Sequence, residues 1–514
     1  MDEMKARTTF NRRFFVKSAV AGSALASLAD FGFLSKLGRV SAADSKLDRG
    51  MVQLHRDIEP LVRLLETTPS ERVLEEVATR IQSGLTYREV LTALLLAGVR
   101  NIKPHPVGFK FHAVLVVNSA HLASLSSPDS DRWLPIFWAI DQFKRSQAAD
   151  EREGDWQLGK VDESAVPPSQ KAKQAFTEAM DNWDEAAADV AIAGLARTAG
   201  AHEIFEILCR YGARDFREIG HKAIYVANSF RTLEAIGWQH AEPVLRSLTL
   251  GLLDRAGDKQ NPAKADLPSD RPFRRNLEAI KEIRTGWLDG KPSADASREI
   301  LEAVREGSAL DLSNKAIELL NQGVAPQSIF DGLSLAAGEL VMRAPGILAL
   351  HAVTCTNAMH YSWQHARDEQ TRRLLLLQNC AFLPLFRGNK PDQGTRLNEL
   401  EPLAPNESGA AALTEIFSDV TNDSKRRLVA ARKVLGYLEK DGDPRLFADA
   451  ARRLIFAKGN DAHDYKFSSA ILEDYHFMAP DLANRYLAAS VFNLKGSGAS
   501  DNKLVRRTRE ALKG

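Results

Sequence analysis

The chain has 514 residues, of which 44% are hydrophobic and 26% charged, enough to bury a sizeable core and to form two or three domains. Its formal net charge of only +1 at pH 7, without a basic stripe interleaved with aromatics, argues against a nucleic-acid partner. The cysteines are odd in number and lack CxxC spacing, which argues against a disulfide framework or a thiolate zinc site and favours core packing. They are Cys209, Cys355 and Cys380.

Residues 1–43 are typical of a twin-arginine export signal. Arg12 and Arg13 precede a mildly apolar run, and VSAAD at residues 40–44 offers small side chains for cleavage. No other segment approaches the roughly 18 uncharged apolar residues that a spanning helix needs. We therefore expect the twin-arginine machinery as a partner and a soluble mature protein in the periplasm or outside the cell. Passengers of this route often carry a cofactor, which favours a metal or an organic group.

The rest of the chain carries helical patterns. In QSGLTYREVLTALLLAGVRN, at residues 82–101, apolar side chains recur with helical spacing, and QGVAPQSIFDGLSLAAGELV, at residues 322–341, repeats that pattern. Alternating runs of β-branched residues, which would indicate strands, are scarce. The sequence therefore predicts an all-α fold.

Sliding the sequence against itself indicates an internal tandem duplication. At an offset of 239 residues, His112 falls on His351 and Asn118 on Asn357, with no gap in this block. A second block matches at an offset of 242, and the difference falls in the polar, proline-containing segments 151–170 and 388–408. We predict two homologous helical halves, residues 50–290 and 295–510, packed about a pseudo-twofold axis.

The repeated stretches HAVLVVNSAH, at residues 112–121, and HAVTCTNAMH, at residues 351–360, are candidate site segments. Asn118 and His121 are three residues apart and share one helical face, as Asn357 and His360 do. The histidine that opens each stretch lies nine residues before its last histidine, and therefore on nearly the opposite side of the helix. One helix cannot present all three groups to one ion.

The duplication supplies further ligands, because three pairs of histidines match between the halves. A single site on the pseudo-twofold axis would then bind a transition metal such as iron or copper, or hold a haem, since imidazole suits these ions. In this hypothesis Asn118, His121, Asn357 and His360 position a small organic substrate or support the ligands. The predicted metal ligands are His112, His221, His351 and His463.

Other interpretations of the same residues stay open. The N-x-x-H faces resemble in spacing the E-x-x-H pairs of di-iron bundles, although asparagine brings no charge. Each histidine could instead be a structural residue bonded to buried carbonyls, and a duplicated fold would duplicate it. Asp461 and Asp464 flank His463, where they either orient its ring or belong to a polar loop ahead of a helix.

The segments FHAVLVVNSAH, GILALHAVTCTNAMH and DAHDYKFSSAILEDY resemble the questin oxidase-like family, whose all-helical members carry several histidine-bearing helices. This resemblance implies a helical oxidoreductase. No GxGxxG, Walker, GxSxG or HExxH motif points to nucleotide, serine-hydrolase or zinc-protease chemistry. We predict an exported metal- or haem-dependent oxidoreductase or oxygenase; the alternative is a non-catalytic helical-repeat module that binds a partner or ligand.

Overall fold

Local capping chemistry sets where the helices begin. Thr86 opens one helix with a capping box, in which its side chain accepts from the Glu89 N–H while the Glu89 carboxylate accepts from the Thr86 N–H. Ser308 and Asp311 repeat this arrangement at another helix. Such caps satisfy N–H groups that a helix leaves without partners in its first turn.

The computed structural model describes residues 57–129, 132–388, 394–440 and 442–504, and within these ranges the fold is all-α as predicted. The export signal predicted for residues 1–43 lies outside the described residues. The only strand-like pairing in these ranges is an isolated bridge between Lys291 and Val324. None of the described helices has the length and apolar character needed to span a bilayer.

Twenty-one α-helices follow one another along the described chain. The first eleven are α1 (Glu59–Thr67), α2 (Val73–Gln82), α3 (Tyr87–Asn101), α4 (His112–Leu125), α5 (Trp133–Glu153), α6 (Ser169–Asn182), α7 (Glu185–Thr198), α8 (Ala201–Gly212), α9 (His221–Ile236), α10 (Ala241–Leu252) and α11 (Arg271–Ala279). The remainder are α12 (Ala294–Glu306), α13 (Ala309–Asn321), α14 (Pro326–Arg343), α15 (Ile347–His365), α16 (Glu369–Arg387), α17 (Gly409–Asp419), α18 (Ser424–Glu439), α19 (Pro444–Lys458), α20 (Ala462–Asp474) and α21 (Pro480–Ser490).

Ten of the described helices, α1–α10, precede α11, and ten, α12–α21, follow it. Helix α4 corresponds in this order to α15, and α9 corresponds to α20. A tandem duplication predicts this order of elements, and the duplication itself stays a prediction.

Four helices pack in a ring at the centre of the fold, where α4 contacts α9, α9 contacts α15, α15 contacts α20, and α20 contacts α4. Almost every side chain of α4 and α15 is buried, whichever side of the helix it occupies. These two helices are therefore buried on all sides, as expected for helices enclosed by other elements. Polar side chains inside this ring need partners within it, because water cannot supply them.

Candidate metal centre

Each helix of the central ring contributes one histidine from its N-terminal end. His112 opens α4, His221 opens α9, His463 is the second residue of α20, and His351 lies in the second turn of α15. One ligand nitrogen from each ring lies within 4.8 Å of the other three. The predicted ligand set is therefore brought together, and these four residues are called the histidine cluster below.

The histidine cluster is shielded from solvent. His112, His221 and His351 expose 8%, 4% and 0% of their surface, and the side chain of His463 exposes 16%. Burial is the main reason that the pKa of each of the first three histidines lies well below its ordinary value. These rings are therefore neutral at physiological pH, as metal ligation requires.

The Nδ1 atom of every ring in the histidine cluster has an acceptor as its partner. His112 donates to the Phe109 carbonyl at 2.8 Å, and His221 donates to the Glu218 carbonyl at 2.7 Å. A carbonyl oxygen only accepts hydrogen bonds, so these contacts fix the proton on Nδ1.

The other two rings are held in the same way. His351 Nδ1 donates to the Ile347 carbonyl at 2.7 Å, and His463 Nδ1 donates to Asp461 Oδ1 at 2.6 Å. Asp461 therefore orients His463 and also caps α20, whereas Asp464 accepts from the Asn460 and Asp461 N–H groups and does not contact the ring. Fixed rings of this kind are usual among metal-binding histidines, because the partner of the outer nitrogen sets the direction of the inner one.

The four Nε2 atoms then face one another. His221 Nε2 lies 2.9 Å from His112 Nε2 and 2.8 Å from His351 Nε2, and His463 Nε2 is buried without a hydrogen-bond partner. A neutral ring with its proton on Nδ1 presents only a lone pair at Nε2. Lone pairs crowded at these distances repel one another unless a cation or a proton lies among them.

Strained turns bring two of these histidines into place. Phe109 precedes α4 with a φ of +46°, and Ile219 and Gly220 precede α9 with φ values of +43° and +81°. Non-glycine residues seldom adopt positive φ, so tertiary packing must hold these turns. A Cβ atom added to Gly220 would lie 2.6 Å from Cys355 Sγ, which shows how closely the turn approaches α15.

We predict that Gly220→Ala lowers the free energy of unfolding by roughly 2–4 kcal/mol, since left-handed strain and a steric overlap with Cys355 add together. Gly257→Ala is the matched control, because Gly257 also has a φ of +81° but a Cβ atom there would meet nothing within 4 Å. Urea unfolding of the two variants separates strain from overlap. Equal losses in both would contradict the close packing described here.

A polar cavity lies inside the central ring, beyond the histidine cluster. It has an empty volume of about 270 Å³, including its open mouth, and all four ring helices line it. Asn118, Asn228 and Asn357 line it, six or seven residues after the cluster histidines of their own helices. At 1.5 Å per residue these side chains lie about 9–10.5 Å further along the helices. The helices therefore run in the same direction here, with their N-termini at the histidine cluster.

Hydrogen bonds join the cavity side chains across the ring. Asn118 Nδ2 donates to Asn228 Oδ1 at 3.3 Å, while Asn118 Oδ1 is buried without a partner. Asn357 Nδ2 donates to Glu473 Oε2 at 2.8 Å, and Arg231 donates to the same carboxylate at 2.6 Å. Arg231 and Glu473 neutralise each other's charge. The amide Oδ1 of Asn118 is left as an acceptor without a donor at the cavity wall.

Lys466 is the other open group of this cavity. It lies on α20 three residues after His463, exposes 2% of its surface, and its Nζ has no hydrogen-bond partner. Burial lowers the pKa of its ammonium group to about 7, and the distant charge of Asp461 offsets only part of that effect. Near pH 7 this amine is therefore protonated only in part, and an anion bound beside it would stabilise its protonated form.

Asp474 is a buried carboxyl group that contacts Asn357 of the polar cavity. Asn357 Nδ2 donates to its Oδ1 at 2.8 Å, and Tyr486 Oη lies 3.3 Å from its Oδ2. Burial is the main cause that raises the pKa of Asp474 to about 8, and the charge of the neighbouring Glu473 raises it further. Asn357 and Arg231 lower this pKa, but by less.

We predict that Asp474→Asn flattens the pH dependence of stability. An unfolded Asp474 ionises near pH 4, whereas the folded one stays protonated up to about pH 8. The free energy of unfolding therefore falls by a few kcal/mol as the pH rises across that window. Asparagine has no proton to lose and keeps the amide contacts, so urea unfolding from pH 4 to 8 should show a shallower slope. An unchanged slope would contradict this account.

The remaining sequence-predicted residues lie apart from the ligand nitrogens of the histidine cluster. His121 Nδ1 is 2.8 Å from the Tyr87 hydroxyl, and His360 stacks on Phe330 with its Nε2 3.3 Å from Gln327 Oε1. Within each N-x-x-H pair the asparagine lines the polar cavity, whereas the histidine contacts residues of a neighbouring helix that do not line it. Burial lowers the pKa of His121 to about 4 and that of His360 to about 3.

The cysteines are buried and unpaired, as predicted. Cys355 packs against the turn at Gly220 and is not part of the histidine cluster. A larger cavity, with an empty volume of about 590 Å³ including its open mouth, lies beside the ion pair of Arg305 and Glu339, and none of the cluster histidines lines it. Since no cysteine or carboxylate belongs to the histidine cluster, the candidate metal site in the described part of the chain has nitrogen ligands only.

No known protein family, curated protein or solved structure matches the chain. The resemblance to the questin oxidase-like family and the export signal stay predictions.

Proposed function

We propose that the histidine cluster binds one transition-metal ion through its four Nε2 atoms, and that the protein is a metal-dependent oxidoreductase acting on a small organic substrate. The observation that carries this proposal is the hydrogen bonding of the rings. All four Nδ1 atoms donate to fixed acceptors, so the four inner nitrogens offer lone pairs. A metal ion accepts electron density from all four lone pairs at once, so it is the partner that suits this arrangement.

The spacing of the nitrogens suits one ion. Two nitrogens bound to one ion at about 2.1 Å each are at most about 4.2 Å apart. A largest separation of 4.8 Å therefore requires only small ring movements. A haem supplies four equatorial nitrogens of its own and leaves two axial positions. Four imidazoles gathered this tightly favour a directly bound ion over a haem.

The donor set favours iron or copper among redox-active metals. Imidazole binds both ions, whereas the described site lacks the thiolates of many structural zinc sites and the carboxylates of di-iron bundles. Four neutral ligands leave the full charge of the ion in a buried site. That charge would act on a substrate in the polar cavity, and a redox-active ion would supply electron transfer.

Duplication accounts for the origin of such a centre. We infer that each half contributes two histidines on corresponding helices, α4 and α9 in the first half and α15 and α20 in the second. The sequence offsets and the shared helix order support this inference. A site on the axis between the halves takes an equal number of ligands from each.

A second candidate function is a structural metal site. Its support is that the four histidines come from four different helices, so a bound ion would tie the central ring together. Zinc without any redox change would serve this role. In that case the protein would be a binding module, and the polar cavity would hold a ligand without chemistry.

The test is elemental analysis with absorption and electron paramagnetic resonance spectra of full-length protein purified after native export. We expect one iron or copper ion per chain, with nitrogen hyperfine structure for copper or a spectral change on reduction for iron. One zinc ion per chain would support the structural role. A metal-free protein that also fails to bind added Cu²⁺, Fe²⁺ or Zn²⁺ would overturn the metal proposal.

A further inference from the structure

The polar cavity holds one amine whose protonated form no carboxylate in it neutralises. Arg231 pairs with Glu473 inside the cavity, but Lys466 Nζ is buried and without a partner. Asp461 is the acidic group that most affects Lys466, and it is engaged with the ring and backbone N–H of His463. The cavity therefore has a donor in need of an anion.

The helix dipoles add positive potential at the histidine cluster, next to the end of the cavity where Lys466 lies. His112, His221 and His463 stand at or next to the first residue of their helices, so the positive ends of those three dipoles meet there. A metal ion in the histidine cluster would increase the potential further. Charge balance thus favours an anionic ligand beside Lys466 whenever the centre is loaded.

A second polar group without a partner indicates what else the ligand must carry. Asn118 Oδ1 is buried, lines the same cavity and has no donor. A carboxylate would accept from Lys466, and a hydroxyl on the same molecule would donate to Asn118. The empty volume of about 270 Å³ counts all space between the atoms and the open mouth, so it is an upper limit: only a very small molecule could bind, and side chains at the mouth would have to move to admit it.

We propose that the polar cavity binds a small hydroxycarboxylate, with its carboxylate on Lys466 Nζ and its hydroxyl on Asn118 Oδ1. The binding site stands on these two side chains, with or without a metal ion. The further statement that this ligand is the substrate rests on the proposed function.

The experiment measures binding of ¹³C-labelled glycolate, acetate and acetamide to the full mature protein by line broadening and saturation transfer. Acetate tests the charge, glycolate adds the hydroxyl, and acetamide is the neutral control of the same size as acetate. We expect glycolate to bind more tightly than acetate, and acetamide to show no saturable binding. Lys466→Met should weaken glycolate binding about 10- to 100-fold, because it removes a charge-assisted hydrogen bond.

Asn118→Ala separates the two contacts, since it should remove the preference for glycolate over acetate and leave acetate binding intact. Lys144→Met is the control for loss of a buried lysine, because Lys144 Nζ is bonded to the Leu65 and Glu66 carbonyls, away from the cavity. It should leave glycolate binding unchanged. Circular dichroism of each variant establishes that it is folded.

The outcomes distinguish this inference from the metal proposal when metal-free and metal-loaded protein are compared. Glycolate binding that depends on Lys466 in a protein that takes up no metal supports the cavity site and overturns the metal proposal. Metal uptake with no glycolate binding, or with equal binding by Lys466→Met, overturns the cavity site alone. Equal affinity for acetate and glycolate overturns the assigned role of Asn118.

Discussion

His221→Ala should lower the affinity of the protein for Cu²⁺ or Fe²⁺ by roughly 100-fold. His221 holds the central nitrogen of the histidine cluster, since its Nε2 lies 2.9 Å from that of His112 and 2.8 Å from that of His351. If four ligands share a binding free energy on the order of 10–16 kcal/mol, losing one removes about 3 kcal/mol, which is close to that factor. Competition titration against a chelator of known affinity measures it.

His121→Ala is the matched control, because His121 is also a buried histidine of the central ring but pairs with Tyr87. Its loss leaves a cavity and the Tyr87 hydroxyl without a partner, so it should lower stability while the metal affinity stays within about twofold. Metal affinity that survives in His221→Ala, or that falls equally in both variants, would count against the cluster as the ligand set.

The ligand set was predictable because the predicted duplication limits which histidines can meet. A histidine on one helix cannot reach the opposite side of that helix, so His112 needed partners from other helices. Matching offsets then singled out His221 and His463, which the structure brings together with His112 and His351. The all-α fold was likewise predictable, since helical periodicity and helix-forming residues agree throughout the described chain.

The polar cavity was harder to predict, because its members depend on which side of each helix faces the ring axis. Asn228 follows His221 at nearly the spacing by which Asn118 follows His112, a signal that spacing alone could have found. Lys466 carries no such signal, since a lysine in a helix normally reaches solvent. Only packing on every side of α20 reveals that its ammonium group is enclosed.

The N-x-x-H interpretation shows a different limit of sequence patterns. Asn118 and His121 share a helical face in the broad sense, but the asparagine faces the ring axis while the histidine turns toward α3 and Tyr87. Asn357 and His360 divide in the same way. A spacing of three residues leaves about 60° between side chains, which is enough to place them in different surroundings.

A comparison of two buried lysines tests whether the lysine without a hydrogen-bond partner is retained for ligand binding and not for stability. Lys222 Nζ donates to Asp215 Oδ2 at 2.9 Å and to the Asp254 carbonyl at 2.6 Å, whereas Lys466 Nζ has no partner. Lys222→Met would leave Asp215 as a buried carboxylate that keeps the backbone N–H of Arg217 and the more distant side chains of Arg214 and Arg217 as partners. We expect this variant to lose about 3 kcal/mol in its free energy of unfolding.

Lys466→Met should behave in the opposite way, with a gain of about 1–2 kcal/mol in metal-free protein at pH 7, because methionine fills a similar volume without a buried charge. Urea unfolding of both variants, without metal or glycolate, gives the comparison. A large loss in Lys466→Met would mean that its ammonium group already has a stabilising partner, which would contradict the open charge. A gain would mean that the fold keeps an unfavourable group at the cavity wall. Folding alone gives no reason to retain such a group, whereas binding an anion beside the histidine cluster does.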